Sequence, residues 1–125
     1  MYTLAVHRHF IARHALFGGD WGRENLPNAH RYQLELQLEG TDLDQHGFLV
    51  DIVAVEKHLG DIVERYRDQF LNDLPEFSGL NPSLEHFARI IADRLREKLT
   101  SDRPLSMKVV LWEDDVAWAA YSSGV

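Results

Sequence analysis

No cysteine occurs among the 125 residues, which excludes disulfides, thiolate nucleophiles and thiolate-held metals. Nothing therefore ties the chain to an oxidising compartment. No apolar run reaches membrane-spanning length, and Met1-Tyr2-Thr3-Leu4 has no basic stretch leading into an apolar one, so the chain reads as cytoplasmic. Basic residues are in the minority: 13 Lys and Arg against 20 Asp and Glu leave a formal charge of −7. That balance disfavours a nucleic-acid backbone, which needs a basic footprint. A phosphorylated small molecule stays compatible, since a local Arg or Lys pocket can sit inside an acidic protein. Linkers, low-complexity tracts and short repeats are also missing, and the length fits one domain over residues 1–125.

What is present begins with two long alternating segments. Tyr2, Leu4, Val6, Phe10, Ala12 and His14 share one parity, and His30, Tyr32, Leu34, Leu36 and Leu38 share another, which predicts strands over 2–14 and 30–40. Antiparallel pairing brings His14 and His30 together on the apolar face, at the mouth of a hairpin. An imidazole pair so placed suits a metal, and suits equally two core-edge rings hydrogen-bonded to backbone. His7 and His9 have the opposite parity and face solvent or a partner subunit. The intervening loop, 15–29, carries three glycines and a proline and is longer than a passive hairpin needs. Within it, Trp21 is placed to cover a flat ligand or to pack on a neighbouring subunit.

Further along, Asp51 is the natural cap of a helix whose apolar stripe, from Ile52 through Val55, Leu59, Ile62, Val63 and Tyr66 to Phe70, predicts an end near Leu71. Asn81-Pro82 predicts a second helix start, with Asn81 as cap and Pro82 at the first helical position. Leu84, Phe87, Ala88, Ile91, Leu95 and Leu99 form its apolar face, Glu85 with Arg89 and Asp93 with Arg96 pair on the other side, and Arg103-Pro104 closes the region. Met107, Val109, Leu111 and Glu113 alternate into a turn at Asp114-Asp115, followed by a last strand. The order β-β-α-α-β-β implies an α+β two-layer domain, a four-stranded antiparallel sheet with two helices on one face. Glu113 has inward parity, where a carboxylate is costly without a partner. An arginine, exposure at the strand end, or the two adjacent N–H donors of a guanidine-like ring edge, as in a pterin or guanine, would satisfy it.

Several of these stretches resemble one family. Phe10-Ile11-Ala12-Arg13-His14 has the Phe-x-Ala-x-His form of the 6-pyruvoyl- and 6-carboxytetrahydropterin synthases, and Asn28-Ala29-His30-Arg31-Tyr32 sits at their His-Gly-His-x-Tyr/Phe. Gly47 to Asp51, Asp68 to Asp73 and Asn81-Pro82-Ser83-Leu84-Glu85 are similar to three further family segments, and Glu113 falls on the glutamate that grips the pterin. The resemblance implies the tunnelling fold, assembled into hexamers with a pterin pocket between subunits. It also implies zinc at His14 and His30, polarising the side chain of dihydroneopterin triphosphate as a Lewis acid. Ser83 and Glu85 would help shape the pocket, and Asp68 would assist catalysis.

Three positions depart from the family pattern. Asn28 replaces a zinc histidine, Glu24 the expected cysteine, and Gln69 the histidine that accompanies Asp68. One branch of the family is implied to use glutamate at the position of Glu24 and to cleave dihydroneopterin toward a hydroxymethylpterin. Glu24 is then either a general base or a third ligand beside His14 and His30. The expected activity is a metal-dependent lyase acting on dihydroneopterin or its phosphate; the alternative is a non-catalytic pterin- or purine-binding protein on the same scaffold. His46, His58 and His86 match no motif and read as structural or exposed.

Overall fold

The computed structural model describes residues 1–125. Apolar alternation builds four antiparallel strands, β1 (Tyr2–His14), β2 (Asn28–Gly40), β3 (Ser106–Glu113) and β4 (Ala117–Gly124), in the sheet order β1-β2-β3-β4. Two helices, α1 (Ile52–Tyr66) and α2 (Leu84–Lys98), lie on one face, α1 against β1 and α2 against β3 and β4. This is the α+β arrangement that the order of elements predicts. No helix is long and apolar enough to cross a membrane.

The core sits between the sheet and the helices, and its centre is aromatic. Phe87 of α2 meets Tyr32, Tyr66, Phe77 and Phe10 edge to face, at centroid separations of 5.2, 5.0, 5.4 and 6.0 Å, the geometry that ring quadrupoles favour. Phe10 and Tyr32 stack across β1 and β2 at 5.4 Å. Tyr32 is thereby locked at the site end of the core, with its hydroxyl aimed at His14.

Beside this core, Glu76 joins three segments. Arg65 of α1 donates to both its carboxylate oxygens at 3.1 and 2.7 Å, the Tyr66 hydroxyl donates at 3.0 Å, and Arg94 of α2 donates at 2.8 Å. Burial opposes the charge, but the Arg65 hydrogen bonds lead the opposing effects and hold the carboxyl down at about 2.

The local expectations need five corrections. Helix α1 is capped by Asp51, which accepts from the Val53 amide at 3.0 Å, but it ends at Tyr66 rather than near Leu71. Asp68 turns left-handed at φ 60° and donates its amide to Ile11, so Phe70 bridges to β1 only partly buried, and Leu71 enters the core through a 3-10 turn. Ile52 is exposed, not part of the buried stripe. Helix α2 is capped by Ser83, which accepts from the His86 amide at 3.1 Å; Asn81 is used elsewhere. Arg89 pairs forward with Asp93 rather than back with Glu85. Strand β2 also starts two residues early, at Asn28.

Candidate functional site

The site is built where β1, β2 and β3 end together. In the β1–β2 register Ala12 faces His30 and His14 faces Asn28, so the two histidines are diagonal neighbours on the inner face. Their ring centroids lie 4.8 Å apart. In the β2–β3 register Tyr32 faces Glu113, which brings a carboxylate to the same place. Glu113 Oε1 lies 3.8 Å from His30 Nε2.

The long loop supplies the second carboxylate. A 3-10 turn over Gly22–Asn25 folds Glu24 back, and its backbone carbonyl accepts from Leu16 at 2.7 Å. The loop is tied down by two side-chain amides acting as short strand partners. Asn72 donates to and accepts from the Ala15 backbone at 2.8 and 2.9 Å, and Asn81 does the same for Phe17 at 2.9 and 2.8 Å. Glycine at position 19 leaves room for the Trp21 ring, which lies 2.5 Å from where a Cβ would stand and would have to shift for any other residue. Trp21 thus covers its own loop while remaining half exposed.

Glu24 is brought between both imidazoles. Its Oε2 lies 2.8 Å from His14 Nε2 and 3.3 Å from His30 Nε2. Partial burial works against its charge, but the hydrogen bonds and charges of the two histidines prevail and hold its carboxyl below the ordinary range. For Glu113, burial is the leading effect and pushes the carboxyl up, opposed by His30 and His14. The two glutamates are therefore shifted in opposite directions, Glu24 down by its two imidazole partners and Glu113 up by burial.

The outer contacts orient the rings. His30 Nδ1 lies 2.7 Å from Asp114 Oδ2, and Asp114 is itself fixed by accepting from the Arg31 amide at 3.0 Å and donating to its carbonyl at 2.7 Å. Asp114 fixes the ring through Nδ1, so Nε2 of His30 faces the site, where it donates to Glu24. Burial opposes a charged His30 ring, yet the Asp114 hydrogen bond, the Glu113 charge and Glu24 outweigh it and raise its pKa. Asp114 is correspondingly lowered: burial resists its charge, and the contacts to His30 and to the Arg31 amide overcome it. Tyr32 OH lies 3.3 Å from His14 Nδ1, and burial pushes its phenol well up, so it stays a neutral partner.

Donor atoms of His14, His30 and Glu113 lie within 4.8 Å of one another, with Glu24 at hydrogen-bond distance from both rings. The chemistry of this set, two imidazole nitrogens with carboxylate oxygens, fits a divalent ion of the zinc, iron or manganese group. One further polar group is left over: the Asn28 amide oxygen is buried and has no hydrogen-bond partner.

Other residues singled out from the sequence stand apart from the cluster within one chain. Asp68 is exposed beside the edge strand β1, with its backbone paired to Ile11 and Arg13. Ser83 is occupied in capping α2, and Glu85 is exposed in that helix's first turn.

Residues 3–124 match the sequence profile described as 6-pyruvoyl tetrahydropterin synthase. The chain belongs to that family. Among solved structures, it is similar to 6-pyruvoyl tetrahydropterin synthase of Caenorhabditis elegans, at 18% identity and a TM-score of 0.84, over 98% of this chain and 95% of that one. A Plasmodium vivax synthase, in a variant that replaces a catalytic glutamate with cysteine, superposes with a TM-score of 0.80 at 16% identity, covering 99% and 98% of the two chains. No curated protein sequence matches. The β-β-α-α-β-β sheet and helix pair are thus the family's tunnelling fold.

Asp114 is the site residue that sequence reasoning missed, having been assigned only to a turn. Its adjacency to Glu113 was visible, and a left-handed position, here φ 52°, suits Asp. Its partner His30 is 84 residues away, a pairing only the β2–β3 register discloses. Asp114→Ala should weaken divalent-ion binding about 10- to 100-fold, measured by competition with a chromophoric chelator. Asp115→Ala, at the exposed neighbour, should leave it unchanged.

Proposed function

We propose that this chain is a metal-dependent lyase acting on the side chain of a dihydropterin such as dihydroneopterin or its phosphate. The observation that carries the reading is Glu24, seated between the Nε2 atoms of the two histidines. His14 and His30 hold the ion, which supplies Lewis-acid polarisation of a substrate oxygen when bound. Both rings must then turn their Nε2 lone pairs inward, so Glu24 loses the two donors that keep it ionised. A carboxylate released beside a polarised substrate serves as the general base. The Plasmodium vivax relative, with its catalytic glutamate, supports this role on this fold. Glu113, half-buried and opposite Tyr32, grips the guanidine-like ring edge of the pterin.

The exposed aromatic and aliphatic side chains around the loop, Phe17, Trp21 and Leu26, support closure of the pocket by another copy, in a homo-oligomer of the hexameric kind the family resemblance implies. Asp68, on the open edge beside β1, would assist catalysis only across such an interface; Ser83 and Glu85 would contribute to pocket shape the same way. A cytoplasmic setting is part of this proposal.

A second reading, a pterin- or purine-binding protein without catalysis, is favoured by Gln69, which leaves Asp68 with no imidazole to orient. The discriminating measurement is zinc content together with dihydroneopterin turnover in wild type, Glu24→Gln and Glu113→Ala. The lyase reading expects Glu24→Gln to retain zinc and lose turnover, and Glu113→Ala to retain zinc and lose pterin affinity. Zinc lost with Glu24→Gln makes Glu24 a ligand. Pterin binding without turnover in wild type establishes the binding module instead.

A further inference from the structure

The β1–β2 register sets Asn28 directly across from His14, with the inward parity of His30 and Tyr32. Its amide nitrogen donates to the Leu26 carbonyl at 2.8 Å and to the His14 carbonyl at 3.2 Å. Both neighbours are acceptors only, so the amide cannot be flipped: nitrogen faces the backbone and oxygen faces away. That oxygen is buried and unpartnered, the one such side-chain atom in the chain. An acceptor left without a donor costs about 1–3 kcal/mol, so its persistence at the strand position across from His14 calls for an occupant. Hydrogen bonding at the nitrogen also polarises the amide and makes its oxygen a better donor to a cation.

We infer that the Asn28 amide oxygen is the third protein donor to the ion at His14 and His30, and that the site consequently discriminates less sharply for zinc over manganese(II) than one with a third imidazole. The inference rests on the metal reading proposed above. Imidazole suits zinc, whereas amide carbonyl oxygen suits harder ions such as manganese(II). Zinc remains the tighter ligand partner in absolute affinity, in keeping with the usual order of divalent ions; it is the ratio that narrows. A third donor from Asn28 also leaves Glu24 free to act as the base and Glu113 free to grip the pterin.

The test uses the full chain stripped of metal, with zinc, manganese(II) and cobalt(II) as probes in chelator competition and cobalt absorption spectra. Apo-protein melting is followed in parallel to confirm folding. Asn28→Ala is expected to weaken zinc and manganese(II) binding about tenfold or more and to shift the visible cobalt bands. Asn28→Asp, which keeps an oxygen donor in place, restores affinity. Asn28→His is expected to widen the zinc-to-manganese ratio about tenfold or more. Unchanged affinities and cobalt bands in Asn28→Ala would overturn the inference while leaving the metal site intact. Loss of affinity in Glu113→Ala but not in Asn28→Ala would also overturn it, by giving the third position to Glu113. A wild-type chain that takes up none of the three ions overturns the metal reading itself.

Discussion

Replacing either His14 or His30 with alanine is expected to abolish stoichiometric zinc binding and to lower dihydropterin turnover about a thousandfold. The magnitude follows from the Lewis-acid contribution of a bound ion, several kcal/mol of charge stabilisation, at roughly 1.4 kcal/mol per tenfold in rate. The two variants should differ in what they leave behind. His14 is almost fully buried, at 2% exposure, so its removal strips Tyr32 and Glu24 of a partner and opens space against the core. His30 is held from outside by Asp114, and its removal leaves that carboxylate still fixed by the Arg31 amide and in reach of solvent. His14→Ala should therefore also lower the melting temperature of the metal-free protein more than His30→Ala does. Elemental analysis, turnover and melting curves on the two variants check these outcomes. Zinc retained by either one would separate the metal from the imidazole pair.

The second large effect concerns stability rather than chemistry. Glu76→Ala is expected to cost about 2–4 kcal/mol, because it strands Arg65, Arg94 and the Tyr66 hydroxyl around an empty position. The lower part of that range applies if solvent screens the two arginines, whose side chains are 37% and 40% exposed. For a chain of this size that corresponds to a fall in melting temperature of about 10 °C. The pH dependence has a definite sign. Glu76 titrates at about 2 in the folded chain against 4.5 unperturbed, so its contribution is fully present above about pH 4.5. It is lost progressively as the pH falls from there toward 2. The stability gap between wild type and Glu76→Gln should consequently be constant near neutrality and close across that acid window. A gap independent of pH from 6 down to 2 would show that the carboxylate charge contributes nothing.

How far the site was legible follows from the range of the interactions. Strand parity has a period of two, so the inward placement of His14, His30 and Glu113 could be read from a few neighbours each. Asp51 as a cap was legible for the same reason, since it acts two residues away. Asn81 misled because its local signal as a cap is real, yet its amide is committed to Phe17, 64 residues distant. Ser83 then takes over the helix start. Phe70 and Leu71 continued the helical spacing of α1 by coincidence. Phe70 bridges to β1 and Leu71 is buried only after the chain has already turned at Asp68, which no periodicity records.

The sequence by itself determined the element order, the apolar faces and the absence of thiolate chemistry, because those depend on composition and on periods of two and 3.6 residues. It also determined which residue types reach the candidate metal position, including Asn28 where the family resemblance implies a histidine. Only the tertiary structure decided how those groups act on one another. Glu24 lies between two imidazoles because Asn72 and Asn81 clamp the loop, Asp114 orients His30 because β3 ends beside β2, and the Asn28 oxygen is left unpartnered because backbone carbonyls claim its nitrogen. Each is a contact between segments far apart in the chain, fixed by sheet register and packing rather than by any local preference.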